Sequence, residues 1–232
     1  YSGEIDKQIQ AAQIMARELK AEGIELTHII GPQTEHKYHS DAIKEISRRI
    51  DSIAAAGRNP VPRRVKFTTW TLRYNRMAWV TIDALGEHWE RARVEAEIRN
   101  NAPIQVTMQN VTALTLEMKP GECPLDNSRR PTVILDKQEV AASPVMSDRS
   151  WTSRFRKTDG KWTLIEKAED GLRKAHGLQG PIDDAFMSSF VFVRPTGKAL
   201  NDKVAAWSAG ELDRAIKQWR GMFRGEARVK ND

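Results

Sequence analysis

The chain has 232 residues, 40% hydrophobic and 29% charged, with a formal net charge of +6. It lacks the charge excess of a disordered chain, and no apolar run approaches the roughly 20 residues that would cross a bilayer. Cys123 is the single cysteine, which excludes an internal disulfide and a cysteine zinc cluster, and the basic residues interleave with acids, as in "HWERARVEAEIR". That pattern reads as a solvated mixed-charge surface and not as the clustered basic stripe of a nucleic-acid binder.

The opening "YSGEID" reads as a strand end running into a loop, and it has neither the basic nor the apolar stretch of a signal peptide. Together with the polar close "RGEARVKND", it gives the expectation of a piece of a longer chain. "DKQIQAAQIMARELKAEG" is a helix with Ile9, Ile14, Met15 and Leu19 expected on one face and Gly23 as its stop. "IELTHIIG" follows as a short buried strand. The loop "GPQTEHKYHSDA" then leads into a second helix, "SDAIKEISRRIDSIAAAG". That helix has Ser40 or Asp41 as N-cap, Ile43, Ile46, Ile50 and Ile53 at helical spacing, and Gly57 at its end. Helix, strand, loop and helix after a strand end is α/β grammar.

"GRNPVPRR" marks a boundary, and beyond it the apolar period becomes two. "RVKFTTWTLRY", "MAWVTIDAL", "RARVEAEIR", "IQVTMQNVTALTLEM" and "TVILDKQEV" are strand candidates. "SWTSRFRKTDGKWTLIEKA" is a hairpin with Asp159-Gly160 at its tip. Close-spaced strands predict an antiparallel sandwich-like module. Trp70, Trp79, Trp89, Trp151 and Trp162 could stack ligands, but at period two among β-branched neighbours they are expected in the core. From about Gly180 the grammar returns to α/β, with a buried strand in "SFVFVRP". A long helix, continuous or broken, then bears Ala215, Trp219 and Met222. Asp183 and Asp184 in "GPIDDAF" could bind a cation, but a helix cap is the simpler expectation. The expected divisions are an α/β segment over 1–58, a β-rich domain over 63–170 and a truncated α/β segment over 180–232.

His36 and His39 stand at H-x-x-H spacing beside Glu35. Zinc proteases instead place two histidines one helical turn apart, so that both rings meet on one face, and this loop has no evident third ligand. No metal and no cofactor are therefore expected. Serine hydrolysis needs a hydroxyl, a histidine to take its proton and a carboxylate to orient that histidine. In the α/β-hydrolase fold the acid and histidine loops follow successive strands, with a helix between. "GEIDKQIQAA" puts Asp6 after a strand end, and "IELTHIIG" delivers His36 thirty residues later, a separation that suits one helix and one strand. From local sequence alone, Asp6 reads equally well as an N-cap and His36 as an exposed loop histidine. His28, His88 and His176 are expected to be structural.

"GEIDKQIQAAQIMARELKAEGIELTHIIGPQTEHKYH" resembles the last part of the catalytic domain in prolyl oligopeptidase-like α/β-hydrolases. More narrowly, "VKFTTWTLRYNRMAWVTIDALGEHWERARV" and "GLQGPIDDAFMSSFVFVRPTG" resemble an extension found in large bacterial members of that family. The resemblance implies that Asp6 is the triad acid and His36, rather than His39, the base. It also implies a peptide or ester substrate, and family members are often exported. The sequence departs from the family pattern in one respect: no G-x-S-x-G nucleophile elbow occurs in it. The expected serine therefore lies upstream of Tyr1. The competing expectation is a non-catalytic β-rich binding or scaffold module that presents aromatic side chains.

Overall fold

The computed structural model describes residues 1–100, 102–167 and 171–232. Over these residues the protein is mixed α/β and mostly sheet, with three α-helices and four sheets. It divides into two units, Tyr1–Pro60 and Val61–Asp232.

In the first unit, β1 (Ser2–Gly3) pairs in parallel with β2 (Ile30–Gly31), and α1 (Ile9–Ala21) makes the crossover that parallel pairing needs. The strand expected over 24–31 narrows to its last two residues, because a ladder extends only as far as its partner. α1 turns Ile9, Ala12, Ala16 and Leu19 partly inward and leaves Ile14 and Met15 exposed. Five residues of helix rotate a side chain by about 140°, so Ile9 and Ile14 cannot share a face as expected. Gly23 ends the helix at φ +72°, a conformation that costs glycine little. α2 (Ser40–Ala56) aligns its four isoleucines, with Ile43, Ile50 and Ile53 exposed, and ends at Gly57.

The second unit is built on two five-stranded sheets. One has the order β10 (Gln138–Ala141), β9 (Thr132–Leu135), β7 (Ile104–Gln109), β6 (Ala92–Glu97), β3 (Arg64–Thr69), antiparallel except for the parallel β7–β9 pair. The other is antiparallel, in the order β12 (Lys161–Ile165), β11 (Trp151–Thr158), β8 (Val111–Met118), β5 (Val80–Leu85), β4 (Arg76–Met77). The run 104–118, expected as one strand, is two strands in different sheets. Asn110 makes the corner at φ +57°; its side chain accepts from the Glu87 N–H (2.7 Å) and donates to the carbonyls of Glu87 (2.8 Å) and Glu90 (3.3 Å). The run 132–140 is likewise a hairpin, turned by Asp136 and Lys137, both at positive φ. The Asp159-Gly160 hairpin forms as expected.

Side chains of both sheets meet in one buried cluster that includes Trp79, Leu114, Leu116, Trp151, Phe155 and Trp162. Each buried indole finds an acceptor: the carbonyl of Pro62 for Trp79 and of Ser143 for Trp151 (both 2.8 Å), and Asp136 Oδ2 for Trp162 (3.4 Å). Trp70 and Trp89, expected in the core, are 51% and 49% exposed. Trp70 follows the last residue of β3, and Trp89 sits in a turn at φ +72°. Both lie past the ladder ends, where strand alternation no longer directs a side chain inward.

At the C-terminal end, β13 (Phe192–Arg194) pairs in parallel with β14 (Val229–Asn231) across an unbroken α3 (Asp202–Phe223) capped by Asn201. The strand expected to be buried is half-exposed, because only its aromatic side is packed, with Phe190 5.0 Å from Trp219 between ring centroids. Met222 is exposed. Asp184 does not cap the short helical turn Ile182–Phe186; it accepts from the Gln179 N–H (3.3 Å) before it. The side chain of Asp183 lies outside the described ones. Among the described residues no helix is long and apolar enough to cross a membrane.

Candidate active site

β1 and β2 lie side by side and point the same way, so the loops at their carboxyl ends emerge together. The first loop holds Asp6. Its backbone N–H donates to the Gly3 carbonyl (3.2 Å), and its carbonyl accepts from the Ile9 N–H (3.1 Å). One carboxylate oxygen, Oδ1, accepts from the Gln8 N–H at 2.8 Å. The side chain therefore closes the turn before α1, while the cap position itself belongs to Gln8. The other oxygen, Oδ2, lies 3.0 Å from His36 Nδ1 across thirty residues of chain.

An ionised carboxylate only accepts, so the proton in this contact sits on His36 Nδ1 and the neutral ring keeps its lone pair on Nε2. The Gln8 N–H and then His36 hold the Asp6 carboxyl below its ordinary pKa, which keeps it in the accepting form. The Asp6 side chain is 13% exposed and that of His36 79% exposed. The carboxylate is thus shielded while the imidazole faces outward.

The histidine loop is fixed by close backbone approach. A β-carbon on Gly3 would collide with the carbonyls of Thr34 and Glu35, and one on Gly31 with the Tyr1 hydroxyl and His39 Cβ. Glu4 Oε2 accepts from the Gln33 N–H (2.8 Å), and the Thr34 carbonyl accepts from the Ile5 N–H (3.1 Å). The Tyr1 hydroxyl donates to the Lys37 carbonyl and accepts from the His39 N–H, both at 2.9 Å, so it braces the chain on the far side of His36.

His39 has a different task. It is the N-cap of α2, where its Nδ1 accepts from the Asp41 N–H (3.3 Å), which corrects the expectation of Ser40 or Asp41 as cap. Among the described residues no three His, Cys, Asp or Glu side chains gather to hold a metal. His28 Nε2 and His88 Nδ1 are buried without a hydrogen-bond partner, and burial, helped by Lys174, lowers the His88 pKa. His176 Nδ1 donates to the Leu72 carbonyl at 2.8 Å.

The sequence reading missed Tyr1 and Glu4 as supports of the loop. The glycines that close β1 and β2 were the available signal, since glycine at a strand end marks close approach of another backbone. Comparison with protein-family models, curated proteins and solved structures found no match.

Proposed function

We propose that Asp6 and His36 are the acid and base of a prolyl oligopeptidase-like serine hydrolase acting on peptide or ester bonds, with the serine contributed by a segment outside these 232 residues. The observation that carries this is the 3.0 Å contact between His36 Nδ1 and Asp6 Oδ2 at the carboxyl ends of two adjacent parallel strands. In this role Asp6 fixes the tautomer and stabilises the imidazolium, and His36 Nε2 takes the hydroxyl proton during attack and returns it to the leaving group. The exposed Ile14, Met15, Ile43, Ile50 and Ile53 give further support, since a parallel sheet is covered on both faces and these side chains suit such a layer. On this reading 1–58 is the end of the hydrolase domain, the two larger sheets form a β-sandwich, and 180–232 begins another α/β unit.

The test is labelling of the full-length protein with a serine-reactive fluorophosphonate. Wild type should label rapidly and His36→Ala should label on the order of a hundredfold more slowly, the scale of a lost general base. Equal labelling of the two, or an upstream reading frame without G-x-S-x-G, would overturn the proposal. A non-catalytic β-rich binding or scaffold module that presents aromatic side chains is the second reading. It is favoured by exposed Trp70 and Trp89, tied together by the Trp89 N–H donating to the Trp70 carbonyl (3.1 Å).

A further inference from the structure

The outer face of the second sheet has a feature that the Asp6–His36 pair does not use. β5 and β8 run in register from Val80 to Ile82, and the register then slips so that Ala84 faces Ala113. Asp83 is the extra residue of this bulge. Bulges re-aim side chains, and here the Asp83 carboxylate accepts from the Thr115 Oγ1–H of β8 at 2.6 Å. On β11, Arg154 and Arg156 stand two residues apart and so share a face. The segment 173–176 closes the other side with Arg173 and His176. Together with Asn75, these residues line a cavity of about 250 Å³.

The cavity wall is anchored. Gln179, 3% exposed, accepts from the Leu72 N–H at 2.6 Å and donates to Thr71 Oγ1, and His176 donates to the Leu72 carbonyl. Three arginines therefore line one cavity, and among the described residues Asp83 is its one lining carboxylate. Among the described residues no side-chain hydrogen bond or salt bridge engages Arg154 or Arg173, and both charges act on the Asp83 carboxylate. Guanidinium groups crowded together repel one another, and a planar fork of donors matches an oxyanion.

We propose that this cavity binds a small oxyanion, a phosphate or carboxylate group, through Arg154 and Arg173, with Asp83 as a built-in competitor that weakens binding. Asp83 faces Arg154 and Arg156 from β11, Arg173 and His176 from the 173–176 segment, and Thr115 from β8. Asp83 is exposed as a residue, yet the protein atoms beside its carboxylate raise its pKa, against the opposing pull of Thr115 and the three arginines. Protonation of Asp83 removes the competing charge, so binding should strengthen as the pH falls through the Asp83 pKa.

The experiment is calorimetric titration of the 232-residue chain at constant ionic strength with inorganic phosphate and, separately, with succinate. Saturable binding of phosphate alone, of succinate alone, or of both supports the site and identifies the group it takes. Arg154→Gln and Arg173→Gln should each weaken binding about tenfold, the scale of one lost charged hydrogen bond. Asp83→Asn should tighten it several-fold and remove the rise in affinity at low pH that Asp83 contributes, leaving the pH dependence of the anion and of His176. Retained tryptophan fluorescence will show that each variant is folded. Heat without saturation for both anions, or affinities unchanged in folded variants, overturns the proposal.

Discussion

Asp6 divides its carboxylate between two tasks, one oxygen closing the turn into α1 and the other meeting His36. Replacing it with asparagine puts an N–H donor opposite Nδ1. In Asp6→Asn the neutral His36 ring is expected to move its proton to Nε2. The ¹⁵N shifts of the ring report that exchange, and an unchanged tautomer would remove Asp6 from the role given to it. The acid's pKa also has a consequence for pH. Because the folded value is depressed, the stabilisation is present above the unfolded value, near 3.8, and is lost as pH falls through the folded value. The carboxyl carbon of Asp6 should therefore titrate with a midpoint below 3.8, and a midpoint above it would contradict the contact. The Asp6–His36 pair was suggested by two successive strand ends together with the family resemblance, while their contact belongs to the fold. Tyr1 and Glu4 were not, since bracing a loop thirty or more residues away leaves no local pattern.

At the scale of elements, the corner at Asn110 governs how one apolar run serves two sheets. Its positive φ suits asparagine or glycine, and its side chain holds three backbone groups of the 87–90 turn. Asn110→Ala should cost about 2–3 kcal/mol, summing left-handed strain and lost hydrogen bonds, and Asn110→Gly should cost less because it keeps the backbone. Urea denaturation measures both, and equal losses would mean that conformation contributes nothing. The sequence reading missed this corner for a physical reason. β7 places Ile104, Val106 and Met108 at even positions and β8 returns to that phase at Leu114, Leu116 and Met118, so the run reads as one strand across the residue that changes sheets. The hairpin at Asp136 and Lys137 was hidden in the same way, because the familiar glycine signal is absent there. Asp159-Gly160 carried that signal and was read correctly.

For the whole molecule, the two units differ in what they bury. In Tyr1–Pro60 the only buried hydrophobic side chain among the described residues is Ala42, whereas the two large sheets share a cluster built on three tryptophans. Local opening requires little free energy where few apolar contacts are lost. Amides of α1 and α2 in this chain should therefore exchange with solvent at least a hundredfold faster than those of β8 and β11. Hydrogen-exchange mass spectrometry resolves the difference, and equal protection would show that the isoleucine stripes are covered. Under the proposed function, a fluorophosphonate-labelled full-length enzyme should show those same helices protected.

The sequence by itself determined the helices, most strands and the switch from helical to alternating period near residue 60. Those follow from periodicity, capping and turn chemistry, all of which act over a few residues. Only the tertiary structure decided that Asp6 and His36 touch, that Trp70 and Trp89 stay outside, and that one run of residues spans two sheets. It alone brought Arg154, Arg173 and Asp83 around one cavity. These depend on which strand ends lie beside each other and where a register slips, quantities fixed by long-range pairing.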